Sequence, residues 1–194
     1  SDLSSAVPLL ARIYPNGTAD VNHFNAAGGM GYLIRELLGA GLLHNDVTTI
    51  MGTGLEGYLT EPKLNAAGGL SWSASATQSA DTKVLQSVEN AFQPTGGLNV
   101  LKGNIGNAVI KSSSIPADRH FIEAAAKVFH SQEELHAAFK SGDLNCDHVA
   151  VVRFQGPKAC GMPELHRLTP PLAVLQNRGL KVALVTDGRM SGAS

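Results

Sequence analysis

The sequence predicts an α/β fold, and the last third of the chain carries the clearest sign of it. Two short segments rich in valine, residues 148–154 and 180–186, have the length and composition of buried parallel strands. Residues 164–177 between them are helix-prone, which gives the order strand, helix, strand. The chain has 194 residues, of which 43% are hydrophobic and 16% charged, so it can bury a core.

The first half of the chain contains one strongly predicted helix. Apolar residues within 29–43 recur at spacings of three and four, which is the pattern of an amphipathic helix, and two glycines lie near its end. Residues 46–51 form a short β-branched segment. Residues 64–78 are rich in Ala, Gly, Ser and Thr with little periodicity, and we interpret them as a loop or linker.

The composition changes near residues 94–97, so we expect a domain boundary at about residue 95. Two candidate strands follow, residues 98–101 and 108–111, and the glycines between them favour a hairpin turn. Residues 120–129 are rich in alanine and helix-prone. Ser131 and Glu134 then form a capping box, which begins a helix that we expect to end at Gly142.

The loops after the two valine-rich strands carry the candidate functional residues. In a strand–helix–strand unit the strands run parallel, so both loops emerge at the carboxyl edge of the sheet, where ligands of open α/β sheets bind. The first loop leads to Glu164, and the second, residues 187–192, contains Arg189 and Ser191. We expect these three residues to converge.

Each of these residues also has a purely structural interpretation. Glu164 either complements the dipole of the helix that it opens or supplies a hard oxygen ligand to a divalent cation such as Mg²⁺, and spacing does not decide between the two. Ser191 follows the turn at Asp187–Gly188 and is itself a typical turn residue, unless a neighbouring group activates it. His166 and Arg167 lie beside Glu164 in the chain and are candidates to meet a phosphate.

Composition and charge exclude several classes of partner. The 15 Lys and Arg residues and 16 Asp and Glu residues give a formal net charge of −1 without long runs, so we expect no nucleic acid and no anionic membrane as partner. The apolar runs are far shorter than the roughly 18 to 20 residues that span a bilayer, and no leader opens the chain, so we expect a soluble, cytoplasmic protein. Cys146 and Cys160 fit neither a disulfide framework nor a CxxC metal site.

Two alternative functions come from other motifs. Gly52–Gly57 matches GxGxxG, which formally suggests a dinucleotide site of an NAD-dependent dehydrogenase. Residues 73–80 contain no Asp or Glu, so the acidic residue expected about twenty positions downstream of that motif is absent. A non-catalytic ligand-binding or dimerisation module, in which Asp187–Gly188 is only a turn, is the other alternative.

Four ordered motifs resemble the dihydroxyacid and 6-phosphogluconate dehydratase family. Residues 26–29 and 41–44 are also similar to that family, so the resemblance spans nearly the whole chain. Within the family, residues 22–30 and 164–171 are similar to the 6-phosphogluconate branch. The four motifs are Gly96–Asn104, Arg153–Lys158, Gly161–Glu164 and Thr186–Gly192.

The resemblance implies a hydro-lyase that removes water from 6-phosphogluconate to give 2-keto-3-deoxy-6-phosphogluconate in the Entner–Doudoroff pathway. A dihydroxyacid or sugar-acid dehydratase of the same family is the alternative. The resemblance also implies that residues 1–94 are the end of an N-terminal α/β domain with its linker, and that residues 95–194 are a truncated, swivelling β/β/α domain. The full-length enzyme is implied to be a homodimer.

The same resemblance assigns roles to particular residues. Ser191 takes the place of the serine that acts, as an alkoxide, as the base at C2 of the substrate, and Glu164 takes the place of a Mg²⁺ ligand. Arg189, His166 and Arg167 are the expected substrate-binding residues.

The family also uses an iron–sulfur cluster, expected to be 4Fe–4S, as the Lewis acid for the departing 3-hydroxyl group. Neither Cys146 nor Cys160 falls in the family's cluster motifs, so we expect the cluster ligands to lie outside this chain. We therefore expect the chain to be an interior fragment that is inactive by itself.

Overall fold

The computed structural model describes residues 2–190 and contains two compact units. The division between the units falls between Ile115 and Pro116. It lies later in the chain than residue 95, and the domain boundary expected there stays a prediction. The helices and strands of both units confirm the mixed α/β class.

Three helices open the N-terminal unit: α1 (Asp2–Ala6), α2 (Val21–Ala27) and α3 (Gly29–Gly39). Asp20 caps α2, and the backbone N–H of His23 donates to its carboxylate over 3.0 Å, which lowers the pKa of Asp20 below its usual value. The predicted amphipathic helix is confirmed as α3 and ends at the first of its two glycines. The core of this unit is small and consists of Phe24, Ala27, Tyr32, Val84 and Leu85.

The strands of the N-terminal unit pair as three antiparallel hairpins, and one of them lies partly where a loop was expected. Residues 64–78 are not simply a loop, because Leu64 ends one strand and residues 70–74 form its partner. Gly68 turns the chain at φ +78°, and the Asn65 side chain accepts the N–H groups of Ala67 and Gly69. The strands are β1 (Thr48–Thr49), β2 (Gly52–Thr53), β3 (Thr60–Leu64), β4 (Leu70–Ala74), β5 (Leu98–Gly103) and β6 (Gly106–Lys111).

The hairpin of β5 and β6 confirms the two strands predicted after residue 95. Gly103 pairs with Gly106, so the tight turn lies at the predicted glycines. Its apolar side chains are nevertheless open to solvent, with Val109 at 70% exposure and Ile105 at 83%. The residues that the structure describes therefore pair these strands without covering them.

The C-terminal unit is built on a parallel three-stranded sheet in the order β7, β8, β9. Its core contains residues from the sheet and from both flanking helices, among them Leu135, Val152 and Leu175, each with 0% exposure. No helix among residues 2–190 is long and apolar enough to cross a membrane. The elements are β7 (Ala126–Phe129), α4 (Gln132–Ser141), β8 (His148–Val152), α5 (Pro157–Cys160), α6 (Thr169–Asn177) and β9 (Val182–Thr186).

The structure confirms the predicted strand–helix–strand unit and corrects two helices. The expected helix over residues 120–129 is wrong, because residues 126–129 pair with β8 as β7, and sheet pairing overrides the helix propensity of alanine. The helix expected to begin at Glu164 begins at Thr169 instead, after a 3₁₀ turn over residues 166–168. Pro170 and Pro171 explain this start, since proline is tolerated only in the first turn of a helix.

Candidate active site at the carboxyl edge of the parallel sheet

The three parallel strands end at one edge of the sheet, and the residues that follow them lie there. His130 follows β7, Arg153 follows β8 and Asp187 follows β9. Helix α4 also begins at this edge, with the Ser131 hydroxyl accepting the N–H of Glu134 over 3.1 Å. The Glu134 carboxylate reaches back to the N–H of His130 over 2.6 Å, so the predicted cap is present and extends one residue further back.

Asp187 joins the loop after β9 to the loop after β8. Its Oδ2 accepts the N–H of Phe154 over 3.1 Å, and its Oδ1 accepts the N–H of Gln155 over 2.9 Å. The Gln155 side chain is 6% exposed and donates to the carbonyl oxygen of Arg153. The carboxylate that the sequence identified only as part of a tight turn therefore fixes the backbone of the neighbouring loop.

Gly188 allows the two loops to approach each other closely. A Cβ atom at this position would lie 2.7 Å from Cδ1 of Leu165 and 3.0 Å from the carbonyl oxygen of Gln155. Leu165 is fully buried, so it has no space into which to move. Glu164 and Arg189 are the chain neighbours of Leu165 and Gly188, so their two backbone segments lie near each other, and the convergence of Glu164, Arg189 and Ser191 stays a prediction.

Phe154 has an unusual backbone conformation at the same edge. Its φ is +68°, in the left-handed region that a bulky side chain rarely adopts. Both of its peptide groups are held, because Asp187 accepts its N–H and the Cys160 thiol donates to its carbonyl oxygen over 2.9 Å. A strained residue of this kind persists only where its surroundings fix it, and such residues cluster at functional sites.

The side chains of His130, Arg153 and Phe154 form a cluster on the exposed side of this edge. Nη2 of Arg153 lies 3.2 Å from Nε2 of His130, and the guanidinium carbon lies 4.7 Å from the centre of the Phe154 ring. The His130 and Phe154 rings meet edge to face, with 5.4 Å between their centres. The guanidinium is therefore oriented by an imidazole and an aromatic ring.

Glu164 lies in the loop between α5 and the 3₁₀ turn, not in the first turn of a helix. Its side chain is 44% exposed, and its Oε1 accepts the N–H groups of Leu165 and His166 over 3.0 Å and 3.1 Å. The Gln132 side chain donates to its backbone carbonyl oxygen over 3.3 Å, which links this loop to the beginning of α4. The carboxylate is thus oriented by local hydrogen bonds and remains accessible.

The other predicted site residues have different positions relative to Glu164. His166 lies in the 3₁₀ turn with its Nδ1 atom 3.8 Å from Glu164 Oε1, and Arg167 follows it in the same turn with an exposed side chain. Arg189 is exposed after β9. Ser191 lies outside the described residues, so its role stays a prediction.

The residues of this chain fit the expected Mg²⁺ ion only in part, and they do not fit the expected iron–sulfur cluster. Glu164 offers one hard oxygen ligand of the kind Mg²⁺ prefers, but residues 2–190 contain no group of three His, Cys, Asp or Glu side chains that could hold a metal ion. Cys146 precedes β8 and Cys160 follows it, so the two thiols lie at opposite ends of the strand and do not fit a common iron–sulfur cluster.

The GxGxxG segment does not form a dinucleotide-binding turn. Gly52–Thr53 pairs antiparallel with β1 and is followed by a short 3₁₀ helix, whereas dinucleotide binding requires a parallel strand that leads into an α-helix. Asn45 donates to the Glu56 carboxylate over 2.5 Å and accepts the N–H of Leu55, and the first bond lowers the pKa of Glu56. The motif is a hairpin organised by its own side chains.

A concave surface lies at the opposite, amino edge of the parallel sheet. Its lining includes Arg119, Gln176 and Lys181. Arg119 donates to the Gln176 side chain over 3.4 Å, and Gln176 donates to the carbonyl oxygen of Val182 over 2.7 Å. Arg119 and Gln176 therefore bond to each other within this surface, and none of the predicted site residues lines it.

Sequence reasoning missed His130, Arg153 and Phe154 as members of this edge. Arg153 and Phe154 were included in the strand predicted over residues 148–154, whereas the strand ends at Val152, so their place at the edge was hidden. His130 was hidden because residues 120–129 were predicted to be a helix, and the left-handed conformation of Phe154 has no signal in the sequence.

Two family models match this chain. The model described as "Dihydroxy-acid/6-phosphogluconate dehydratase C-terminal" matches residues 83–194, and the one described as "Dihydroxy-acid/6-phosphogluconate dehydratase N-terminal" matches residues 1–58. The first match alone includes the whole parallel sheet and its carboxyl edge.

Individual relatives agree with the family models. Phosphogluconate dehydratases from Rhizobium meliloti (strain 1021) and Escherichia coli (strain K12) are 61% and 58% identical to this chain over all of its 194 residues. A dihydroxy-acid dehydratase from Acetivibrio thermocellus is 32% identical over 198 aligned positions. The chain spans about a third of the length of each relative, 32% of the first two and 33% of the last.

Proposed function

This chain belongs to the dihydroxy-acid/6-phosphogluconate dehydratase family, and from that premise we propose that it is part of an enzyme that dehydrates 6-phosphogluconate to 2-keto-3-deoxy-6-phosphogluconate. The observation that carries the proposal is the difference in identity: 61% to a phosphogluconate dehydratase but 32% to a dihydroxy-acid dehydratase, each over the whole chain.

The reaction removes a proton from C2 and the hydroxyl group from C3, and the resulting enol tautomerises to the ketone, so that one water is lost. The proton at C2 is only weakly acidic because the adjacent carboxylate is already negative. A base must therefore be placed at C2, and positive charge must lie near the carboxylate oxygens. We propose Ser191 as that base.

Glu164 is the residue of this chain that we propose as a Mg²⁺ ligand. Its Oε1 is oriented by two backbone N–H groups, and the side chain is partly exposed at the carboxyl edge, which suits a ligand that must meet both an ion and solvent. When bound, Mg²⁺ supplies the positive charge that the substrate carboxylate needs. We propose that Arg189, His166 and Arg167 contact the substrate around this point.

The remaining features of the proposal rest on the family resemblance. The cluster, proposed as 4Fe–4S, is held by residues outside this chain. Residues 95–194 form part of a swivelling β/β/α domain, and the full-length enzyme is a cytoplasmic homodimer. The chain alone is proposed to be inactive, because it lacks the cluster ligands.

Substrate preference of the full-length enzyme tests the proposal. We expect kcat/KM for 6-phosphogluconate to exceed that for a branched 2,3-dihydroxy acid by about 100-fold or more, since a site that holds a polar group discriminates strongly against a substrate without it. Preference for the dihydroxy acid would assign the enzyme to the other branch of the family.

The proposed base is tested by Ser191→Ala in the full-length enzyme. We expect turnover to fall by about 10³-fold while the fold and the cluster spectrum stay unchanged. Ser141→Ala is the matched control, because Ser141 is an exposed serine at the far end of α4 and bonds only to nearby residues. Retained activity in Ser191→Ala would overturn the assignment.

A further inference from the structure

We propose that Arg153 binds the phosphate group of the substrate and that His130 and Phe154 are positioning residues that orient its guanidinium. The inference rests on the proposed function, because it takes a phosphorylated sugar acid as the ligand. It adds a binding residue that lies outside the sequence-predicted set of Glu164, His166, Arg167, Arg189 and Ser191.

Location is the first argument. Arg153 directly follows β8, the central strand of the parallel sheet, and therefore lies at the edge where ligands of such sheets bind. Arg153 begins the connection after β8 in which Glu164 also lies, and the loop after β9 emerges at the same edge, so a substrate that reaches Glu164 has Arg153 at the same edge of the same unit.

The orientation of the guanidinium is the second argument. Arg153 donates to Nε2 of His130 over 3.2 Å and stacks on Phe154 at 4.7 Å. Both contacts hold a long side chain in place without neutralising its charge, and within residues 2–190 no carboxylate pairs with Arg153. An ordered arginine whose charge has no protein counter-ion is suited to bind an anion through paired N–H groups.

The rigidity of the supporting backbone is the third argument. Phe154 is held at φ +68° by Asp187 and by the Cys160 thiol, which fixes the direction in which its ring faces Arg153. Arg167 and Arg189 are also exposed, but among the described residues neither has a hydrogen bond that orients its guanidinium. Arg153 is therefore the arginine of this edge that is prepared for a defined ligand.

Steady-state kinetics of the full-length enzyme test the proposal. We expect Arg153→Gln to raise KM for 6-phosphogluconate by about 10-fold to 100-fold, with a change in kcat below about threefold, and to weaken competitive inhibition by inorganic phosphate to a similar extent. Arg153→Lys keeps the charge but loses the paired N–H groups, so its KM should lie between those of the wild type and Arg153→Gln.

His130→Asn tests the positioning role. We expect a smaller increase in KM, about threefold to tenfold, with kcat unchanged, because the guanidinium stays but is less well oriented. Arg178→Gln is the matched control: Arg178 is an exposed arginine of the same unit that donates to Asn145 at the amino edge, and its loss should leave both constants unchanged.

The proposal is overturned if phosphate inhibition and KM are the same in Arg153→Gln and the wild type, or if kcat falls while phosphate inhibition is unchanged, which would indicate a contact elsewhere on the substrate. Calorimetric titration of the same full-length proteins with inorganic phosphate separates this inference from the proposed function. Phosphate binding that Arg153→Gln abolishes supports the site even if the wild type does not dehydrate 6-phosphogluconate, and equal binding by both proteins refutes it.

Discussion

The parallel sheet of the C-terminal unit and the β5–β6 hairpin of the N-terminal unit are built from similar apolar residues but bury them very differently. The inward residues of β8, His148, Ala150 and Val152, are all 0% exposed, whereas Leu98 and Val109 in the hairpin are 49% and 70% exposed. Pairing of strands is complete in both. What differs is the covering of the strands: side chains of α4 and α6 pack on the parallel sheet, whereas the described residues leave the hairpin uncovered.

This difference decides where a precise site can be built. The carboxyl edge rests on a packed core: Gly188 lies against the fully buried Leu165, and Asp187 bonds to two backbone N–H groups of the loop after β8. The hairpins of the N-terminal unit have well-defined turns, but their strands lack such support among the described residues. We therefore expect mutations to have large effects in the sheet and small ones in the hairpins.

The largest expected effect comes from Leu135→Ala in α4. Leu135 is fully buried between the helix and the sheet, so the substitution should lower the free energy of unfolding by about 2–5 kcal/mol. Ile105→Ala, at the 83%-exposed turn of the hairpin, should change it by less than about 0.5 kcal/mol. Chemical denaturation of both variants, followed by circular dichroism, measures the difference, and equal losses would remove the contrast between the two regions.

A smaller effect is expected from Asp187→Asn at the carboxyl edge. The carboxylate accepts two backbone N–H groups, and an amide has one acceptor oxygen, so unfolding should become easier by about 1–2 kcal/mol. Asp147→Asn is the control, because Asp147 accepts the N–H of Lys181 through one oxygen, which an amide can replace. Hydrogen exchange at the Phe154 and Gln155 amides should accelerate in Asp187→Asn only, and unchanged exchange there would show that the carboxylate does not hold the loop.

The smallest effect is a pH dependence in the N-terminal unit. The pKa of Asp20 is lowered in the folded state by the His23 N–H, so the ionised cap stabilises the protein above the unfolded pKa and this contribution disappears as the pH falls through the folded pKa. Asp20→Ser keeps an acceptor oxygen that does not titrate. Between about pH 5 and pH 2 the Tm of the wild type should therefore fall more than that of Asp20→Ser. A steeper fall in the variant would contradict the stabilising role of the ionised Asp20 cap.

Local signals explain which elements the sequence predicted. Helix α4 is specified by Ser131 at its beginning and Gly142, at φ +85°, after its end, and both act within a few residues. Strand β7 was missed because its alanine-rich segment favours a helix by local propensity. Its strand conformation depends on pairing with β8, which lies about 20 residues further along the chain. The β3–β4 hairpin was missed because residues 64–78 are mostly small and polar, although Leu70, Trp72 and Ala74 alternate with two serines as in a strand.

The candidate site also combines features that the sequence predicted with features that only the structure shows. Topology alone placed Glu164 and Arg189 on loops at one edge, because the carboxyl ends of parallel strands always meet there. The bonds of Asp187, the left-handed Phe154 and the orientation of Arg153 depend on side-chain geometry that no spacing rule describes. The sequence thus located the edge, and the structure identified the residues that organise it.

The most direct test of the account compares one carboxylate from each region in the full-length enzyme. We expect Glu164→Gln to lower kcat for 6-phosphogluconate by about 100-fold or more and to raise the Mg²⁺ concentration needed for half-maximal activity, because a neutral amide is a poor ligand for this cation. Glu61→Gln, in strand β3 of a hairpin, should leave both quantities unchanged. Equal activity and equal Mg²⁺ dependence in the two variants would contradict the conclusion that the carboxyl edge of the parallel sheet carries the function.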